Sequence, residues 1–556
     1  MLRLLATSAA LAAMAKAQGE QVVLANDPVT VRVERVGFSN ARLQEAVTQA
    51  LNTGQVLGAL NDTRYRVLRV DFQGSDELGG AGCSGKSAGT AEAFQAQVFD
   101  YTNGRVVSII GDAFSPASSV MIGESGHQPL PSVDEVAEAA RIAGFSEKAV
   151  AYAAMPPLVD RVFANGTSHR VLHILAREPD EDSARSTELY VNLSNRTVET
   201  PATASRMTAQ RTESAPVCDA SPDSGAHVTP RGTPGVAQIT ILQGATVLWT
   251  MQVTRPAASS GGMGSGIELH AVRYRDRSVL YKAHVPILNV EYKQPGTGCG
   301  PTYRDWQNEE YGFNCPGSDV PGVPGFRVCT SPPTTIVDPP YVDGGSYNGV
   351  AVYVSGTTIV LRSQLRAGWY RYTSEWRFAA DGTVTPRWGF GGVWWPGSGC
   401  ICVPHHHHVY WRLDFDIETA GGNRVREFNP NMSGPPNLGT LADVVYEVQR
   451  PRSPARHWEV SNTQTGRTYA LYPGTNDGAS DAFGVGDLWV LRYNGGQIDD
   501  GAVPDNAAHI SKFTNAESVV DTDVVLWYAA HFLHDEQHPH GSHIVGPTIK
   551  PLGTWQ

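Results

Sequence analysis

The sequence is short of charge, of cysteine and of long apolar runs, and each shortage closes off a class of protein. Only 18% of the 556 residues are charged, which does not fit the charge-rich, weakly apolar composition of a disordered chain. Lys and Arg, 43 in all, are outnumbered by 55 Asp and Glu, for a formal net charge of −12. No basic stripe reverses that balance, so phosphate backbones would be repelled and nucleic acid is not an expected partner. No apolar run later than the amino terminus reaches the ~20 residues that a membrane-crossing helix requires, so no membrane span is expected. Seven cysteines, Cys83, Cys218, Cys299, Cys315, Cys329, Cys400 and Cys402, leave at least one thiol outside any pairing within the chain.

What is present favours β structure. Hydrophobic residues make up 41%, with 57 Gly and 36 Pro, and short runs rich in Val, Thr, Tyr and Trp alternate with turn residues. Residues 1–17, MLRLLATSAALAAMAKA, combine an early Arg3, a short apolar run and a small-residue end, the pattern of a secretion signal. A secreted protein is therefore expected. Sequons at Asn61, Asn165, Asn192, Asn195 and Asn431 are compatible with a glycoprotein. In an oxidising compartment Cys299, Cys315 and Cys329, clustered in a Gly/Pro-rich region, predict one disulfide bond.

Residues 28–125 read as a small α+β unit, with the helical pattern NARLQEAVTQALN followed by strand-like runs and an Asn-Gly turn. Residues 126–205 repeat that layout, with Pro and Ser opening an amphipathic helix before further strands. A Thr/Ser/Ala/Pro/Gly-rich linker over 206–235 leads into 236–556, which reads as strand and turn throughout. The expected fold is mainly β, a large carboxy-terminal β-sandwich preceded by two small α+β domains.

Inside that last segment lies PHHHHVYWRLDFD, residues 404–416. In a strand His405, His407, Val409, Trp411, Leu413 and Phe415 share one face, and His406, His408, Tyr410, Arg412, Asp414 and Asp416 the other. Two imidazoles at i, i+2 on the edge of an apolar face either cap a core through hydrogen bonds or converge on a metal ion. Candidate third ligands are His531, His534, His538, His540 and His543 near the carboxyl end, where surface histidines and nonspecific metal scavenging are the other readings.

Five separated segments in order, SGIELHAVRYRDRSVLYKA (265–283), TYRDWQNEEYG, GWYRYTSEWRFAADG, HHHHVYWRLDFD and DTDVVLWYAAHFLH with IKPLGTW, resemble the copper-containing amine oxidases. The resemblance implies that family's two-sheet supersandwich, a homodimer, and oxidation of a primary amine by oxygen to an aldehyde, ammonia and hydrogen peroxide. Carried over by position, the copper(II) ligands fall on His405, His407 and His534, a nitrogen set that suits that ion. The gate tyrosine falls on Tyr303 and the catalytic base on Asp305, which from the residues alone would read as a loop carboxylate. Asp414, Asp416 and Asp523, with backbone carbonyls of Phe415 and Val524, correspond to a peripheral calcium-type site; a solvated acidic face is the competing reading.

The tyrosine that the family oxidises to topaquinone falls on Tyr370. The family carries Asn-Tyr-Asp or Asn-Tyr-Glu there, whereas this sequence has Trp369-Tyr370-Arg371. Tyr370 shares its face with Tyr372, Trp376 and Phe378, so it still points inward in a strand. The flanking changes put an indole in place of a small amide and reverse a charge, which places quinone formation in question. Alongside the oxidase stands a second reading, a copper-binding protein of this fold without quinone chemistry, either a non-oxidative biosynthetic enzyme or a binding protein. Cys400-Ile401-Cys402, just before the histidines, feeds that reading because thiolates would alter a copper site; a disulfide or ordinary core cysteines are the favoured readings of that pair.

Overall fold

The computed structural model describes residues 22–26, 29–35, 40–73, 93–112, 120–125, 131–153, 169–178, 187–199, 221–229, 231–261, 263–292, 302–394, 403–431, 438–453, 455–494, 497, 508–535 and 544–555. The signal-like residues 1–17, most of the expected linker, Cys83, Cys218, Cys299, Cys400, Cys402, Asn165, His538, His540 and His543 lie outside them.

Two small four-stranded antiparallel sheets come first, each with helical cover. One comprises Tyr65–Gln73, Ala93–Asp100, Arg105–Asp112 and Met121–Ser125; the other comprises Val150–Ala153, Val171–Arg177, Thr187–Asn192 and Thr197–Glu199. The Pro-Ser signal opens the helix Val133–Ile142 through a capping box between Ser132 and Glu135, which satisfies two backbone donors that have no partner within the helix. The two units are not independent. Phe99 and Tyr101 of the first pack in one cluster with Val136, Leu172 and Val191 of the second.

The remainder is two large sheets face to face. One has 11 strands, with Glu268–Tyr274, Arg277–Tyr292, His405–Phe415, Val524–His534 and Leu488–Arg492 as consecutive neighbours; the other has 15, with Thr358–Ala367, Tyr370–Ala379 and Val384–Trp394 adjacent. Val29–Arg35, expected within the first small unit, instead pairs with Val236–Gln243 in the 11-stranded sheet. Its alternating valines bury Val29, Val31 and Val33 in the sandwich core, and long-range strand pairing of this kind leaves no local trace in sequence.

Inward side chains of both sheets form one core that includes Val409, Trp411, Leu413 and Phe415 from one sheet and Tyr370, Tyr372, Trp376 and Phe378 from the other. The outer face of the His405–Phe415 strand is covered as well: Tyr410 packs with Trp489, Trp527 and Ile510. Both faces are therefore buried, which explains the weak alternation of burial along this strand. Cys315 and Cys329 form the expected disulfide. Among the sequons, Asn61, Asn195 and Asn431 are exposed. Asn192 is buried and its side chain bonds the Asn195 backbone and the His169 ring, which leaves no room for a glycan there.

Candidate metal centre

The inner face of the His405–Phe415 strand begins with two imidazoles, because i and i+2 fall on the same side. Its antiparallel neighbour Val524–His534 is in a register that sets His534 directly opposite His405, and directly opposed residues share a face. One nitrogen from each of His405, His407 and His534 lies within 4.8 Å of the others. His405 Nε2 is 3.0 Å from His407 Nε2, and both rings are fully buried.

Hydrogen bonds fix which nitrogens face inward. His405 Nδ1 lies 2.6 Å from the Val403 carbonyl oxygen, which only accepts, so Nδ1 carries the proton and a neutral ring keeps its Nε2 lone pair for the centre. His407 Nδ1 lies 3.3 Å from the Tyr372 hydroxyl oxygen. Tyr372 donates its own proton to the Asp305 carboxylate, so its oxygen accepts from His407 Nδ1 and Nε2 is again turned to the centre.

Facing sheets stand ~10 Å apart, a gap that one long side chain from each side closes. The Tyr370 hydroxyl reaches across to 3.0 Å from His405 Nε2 and is hydrogen-bonded to the Tyr292 hydroxyl. Burial and then the neighbouring Tyr292 hold the Tyr370 phenol well above its ordinary pKa, so in the absence of a cation it is neutral. Tyr303, on the short strand Thr302–Arg304, sets its ring edge-on to Tyr292 at 5.9 Å.

Asp305 is buried, and burial pushes its carboxyl up to about 7, against the smaller lowering effect of the Tyr372 hydrogen bond. A buried carboxyl titrating near neutrality and bonded to a ring that also touches a histidine is a candidate acid–base group.

The altered neighbours of Tyr370 take separate paths. Arg371 points to the opposite face of the strand, where it pairs with Asp343 at 3.0 Å and Asp223 at 3.1 Å and stacks over the Tyr311 ring at 3.9 Å. Burial alone would lower its pKa, but Asp343, Tyr311 and Asp223 outweigh it and the guanidinium stays charged. The charge reversal seen in sequence is therefore compensated locally, on the far side of the sheet. Trp369 packs at 5.8 Å from the Tyr370 ring and remains beside the centre.

Asp414, Asp416 and Asp523 also converge, with an oxygen of each within 4.8 Å of the others. Phe415 and Val524 sit opposite one another in the ladder with side chains in the core, so only their backbone oxygens are available to such a group. Arg412 reaches to 3.5 Å from Asp414, a competing partner for the same oxygens.

Sequence reasoning did not single out Tyr292. Its signal is positional, at the end of the Arg277–Tyr292 strand opposite His405, and becomes visible only once that register is known. Tyr372 was legible as a face-mate of Tyr370, but its contacts to Asp305 and His407 were not.

No protein-family model matches the chain, and no curated protein matches it by sequence. Solved structures do match. A copper-containing benzylamine oxidase from Hansenula polymorpha has a TM-score of 0.57 at 11% identity, over 91% of this chain and 96% of that one. The Pichia pastoris lysyl oxidase gives 0.56 at 12% identity over 96% and 92%. An Aspergillus nidulans amine oxidase gives 0.52 at 11% identity over 93% and 88%. The chain has the fold of the copper amine oxidases, over nearly its whole length.

Proposed function

We propose, on the premise of that fold, that this chain is a secreted copper-dependent oxidase of primary amines. The observation that carries the reading is the Tyr370 hydroxyl at 3.0 Å from His405 Nε2, beside three convergent imidazoles, two of which, His405 and His407, turn their ring protons away from the common point. Three nitrogen donors and one phenol oxygen within reach fit copper(II); His405, His407 and His534 would hold it. Bound copper would supply the redox chemistry that, with oxygen, oxidises the Tyr370 ring to topaquinone and passes substrate electrons to oxygen.

The protein's own residues do the rest. Asp305 removes the proton from the carbon bearing the amine, Tyr372 holds that carboxylate in place, and Tyr292 fixes the Tyr370 ring from its oxygen. Tyr303 stands beside Tyr292 as a gate. The net reaction consumes amine, oxygen and water and releases aldehyde, ammonia and hydrogen peroxide, which balances. Calcium at Asp414, Asp416 and Asp523, and a homodimer, complete the proposal.

A second reading, copper binding without quinone chemistry, is favoured by Trp369, whose indole stands against the ring that must be remodelled. Exposure of the metal-free protein to copper and oxygen separates the two. The oxidase reading expects a modified Tyr370 peptide by mass spectrometry, staining with a carbonyl-reactive hydrazine, and peroxide release on a panel of primary amines, all lost in Tyr370→Phe. An unmodified tyrosine with copper bound would establish the second reading.

A further inference from the structure

His408 follows His407 directly, yet its ring emerges on the other side of the sheet. There it is the diagonal neighbour of Glu291, since Glu291 pairs with His406 and Asn289 with His408 across the Arg277–Tyr292 and His405–Phe415 strands. A third group arrives from the connection between Thr468–Tyr472 and Leu488–Arg492: Asp481. One ligand atom from each of Glu291, His408 and Asp481 lies within 4.8 Å of the others. None of the three takes part in the chemistry proposed above.

The surroundings orient the imidazole as a ligand. His531 Nε2 lies 2.9 Å from the Gly486 carbonyl oxygen and 3.3 Å from Asp487, both acceptors, so that nitrogen donates. With neutral rings His531 Nδ1 is then an acceptor, and His408 Nδ1, 2.8 Å away, donates to it. The remaining His408 nitrogen, Nε2, carries the lone pair. An imidazole whose far nitrogen is tied to an acceptor is the usual arrangement of a metal-bound histidine. Asp481 is fixed in its turn, accepting backbone N–H bonds from Phe483 at 3.0 Å and Gly484 at 2.7 Å. Gly484 is required for this closeness, because a Cβ there would stand 2.2 Å from His408 Nδ1.

We propose that Glu291, His408 and Asp481 form a second metal site, for a divalent ion of the zinc class, on the outer face of the strand whose inner face carries His405 and His407. One imidazole and two carboxylates, with water completing the shell, suit zinc(II). The ion would tie the 473–487 connection to two central strands and stiffen the strand that presents the first centre.

The test uses full-length protein carrying one equivalent of copper, challenged with zinc chloride and followed by metal analysis and thermal melting. One further equivalent of zinc should bind with copper retained, and the melting temperature should rise. Glu291→Gln and Asp481→Asn, which preserve side-chain shape, should each weaken zinc binding at least tenfold and abolish the thermal shift, with copper content unchanged. Cobalt(II) in place of zinc should give visible ligand-field absorption that both variants lose. If Asp481→Asn disturbs its turn, Glu291→Gln alone decides. The proposal is overturned if zinc fails to bind, if it binds both variants as tightly as the parent, or if its uptake is matched by copper release.

Discussion

At the scale of single residues, Asp305 illustrates how burial makes a reagent. Its carboxyl titrates at about 7 because it is enclosed, with Tyr372 partly compensating. A base acts only when deprotonated, so kcat/KM for an amine should fall as pH drops below about 7, in a profile measured between pH 5 and 9. Asp305→Asn should lower turnover by about 10²–10⁴-fold while copper still binds. Stability carries the opposite sign. A carboxyl whose folded pKa is raised binds a proton that the unfolded chain releases, so its contribution is present at low pH and lost as pH rises through about 7. Asp305→Asn should remove that slope from melting curves of the metal-free protein. Arg371 illustrates compensation: Arg371→Met would leave the buried Asp343 and the partly exposed Asp223 without their cation and should cost about 3–5 kcal/mol in denaturant unfolding.

At the scale of elements, local signals and long-range pairing contribute differently. The helix Val133–Ile142 was legible because Pro, Ser and Glu stand at capping positions ahead of an amphipathic run. The second task of Glu135 was not. Its carboxylate is buried against Arg170 and accepts a bond from Tyr101, joining the two small units. Glu135→Ala should therefore destabilise by about 3–5 kcal/mol, far beyond the ~1 kcal/mol of a lost cap, as read by urea unfolding. Strand parity likewise placed His405, His407, Tyr370 and Tyr372 on inward faces, since period 2 is a local property. Which strands meet, and in what register, depends on partners more than a hundred residues away. For that reason Tyr292, the position of Val29–Arg35 and the convergence of Glu291 with Asp481 escaped the sequence reading.

At the scale of the whole molecule, the candidate centre lies between two sheets and belongs to neither alone. Histidines come from the 11-stranded sheet and Tyr370 and Tyr372 from the 15-stranded one. A metal bound at such a seam acts on folding as well as chemistry. Stripping copper with a chelator should lower the melting temperature, with a loss of about 4 kcal/mol relative to protein held at copper a thousandfold above its dissociation constant. Readdition should restore it.

The β character and the inward faces of the key strands were legible along the chain because composition and period are carried by neighbouring residues, and the histidines and tyrosine of the candidate centre were reached through the resemblance in motif order. Strand parity already turned Arg371 away from Tyr370, but its two carboxylate partners, the contacts of Tyr292 and Tyr372 with Tyr370, and the meeting of the third histidine with the other two became visible in three dimensions alone. Those outcomes depend on strand register and sheet packing, which arise from contacts between segments that are distant along the chain.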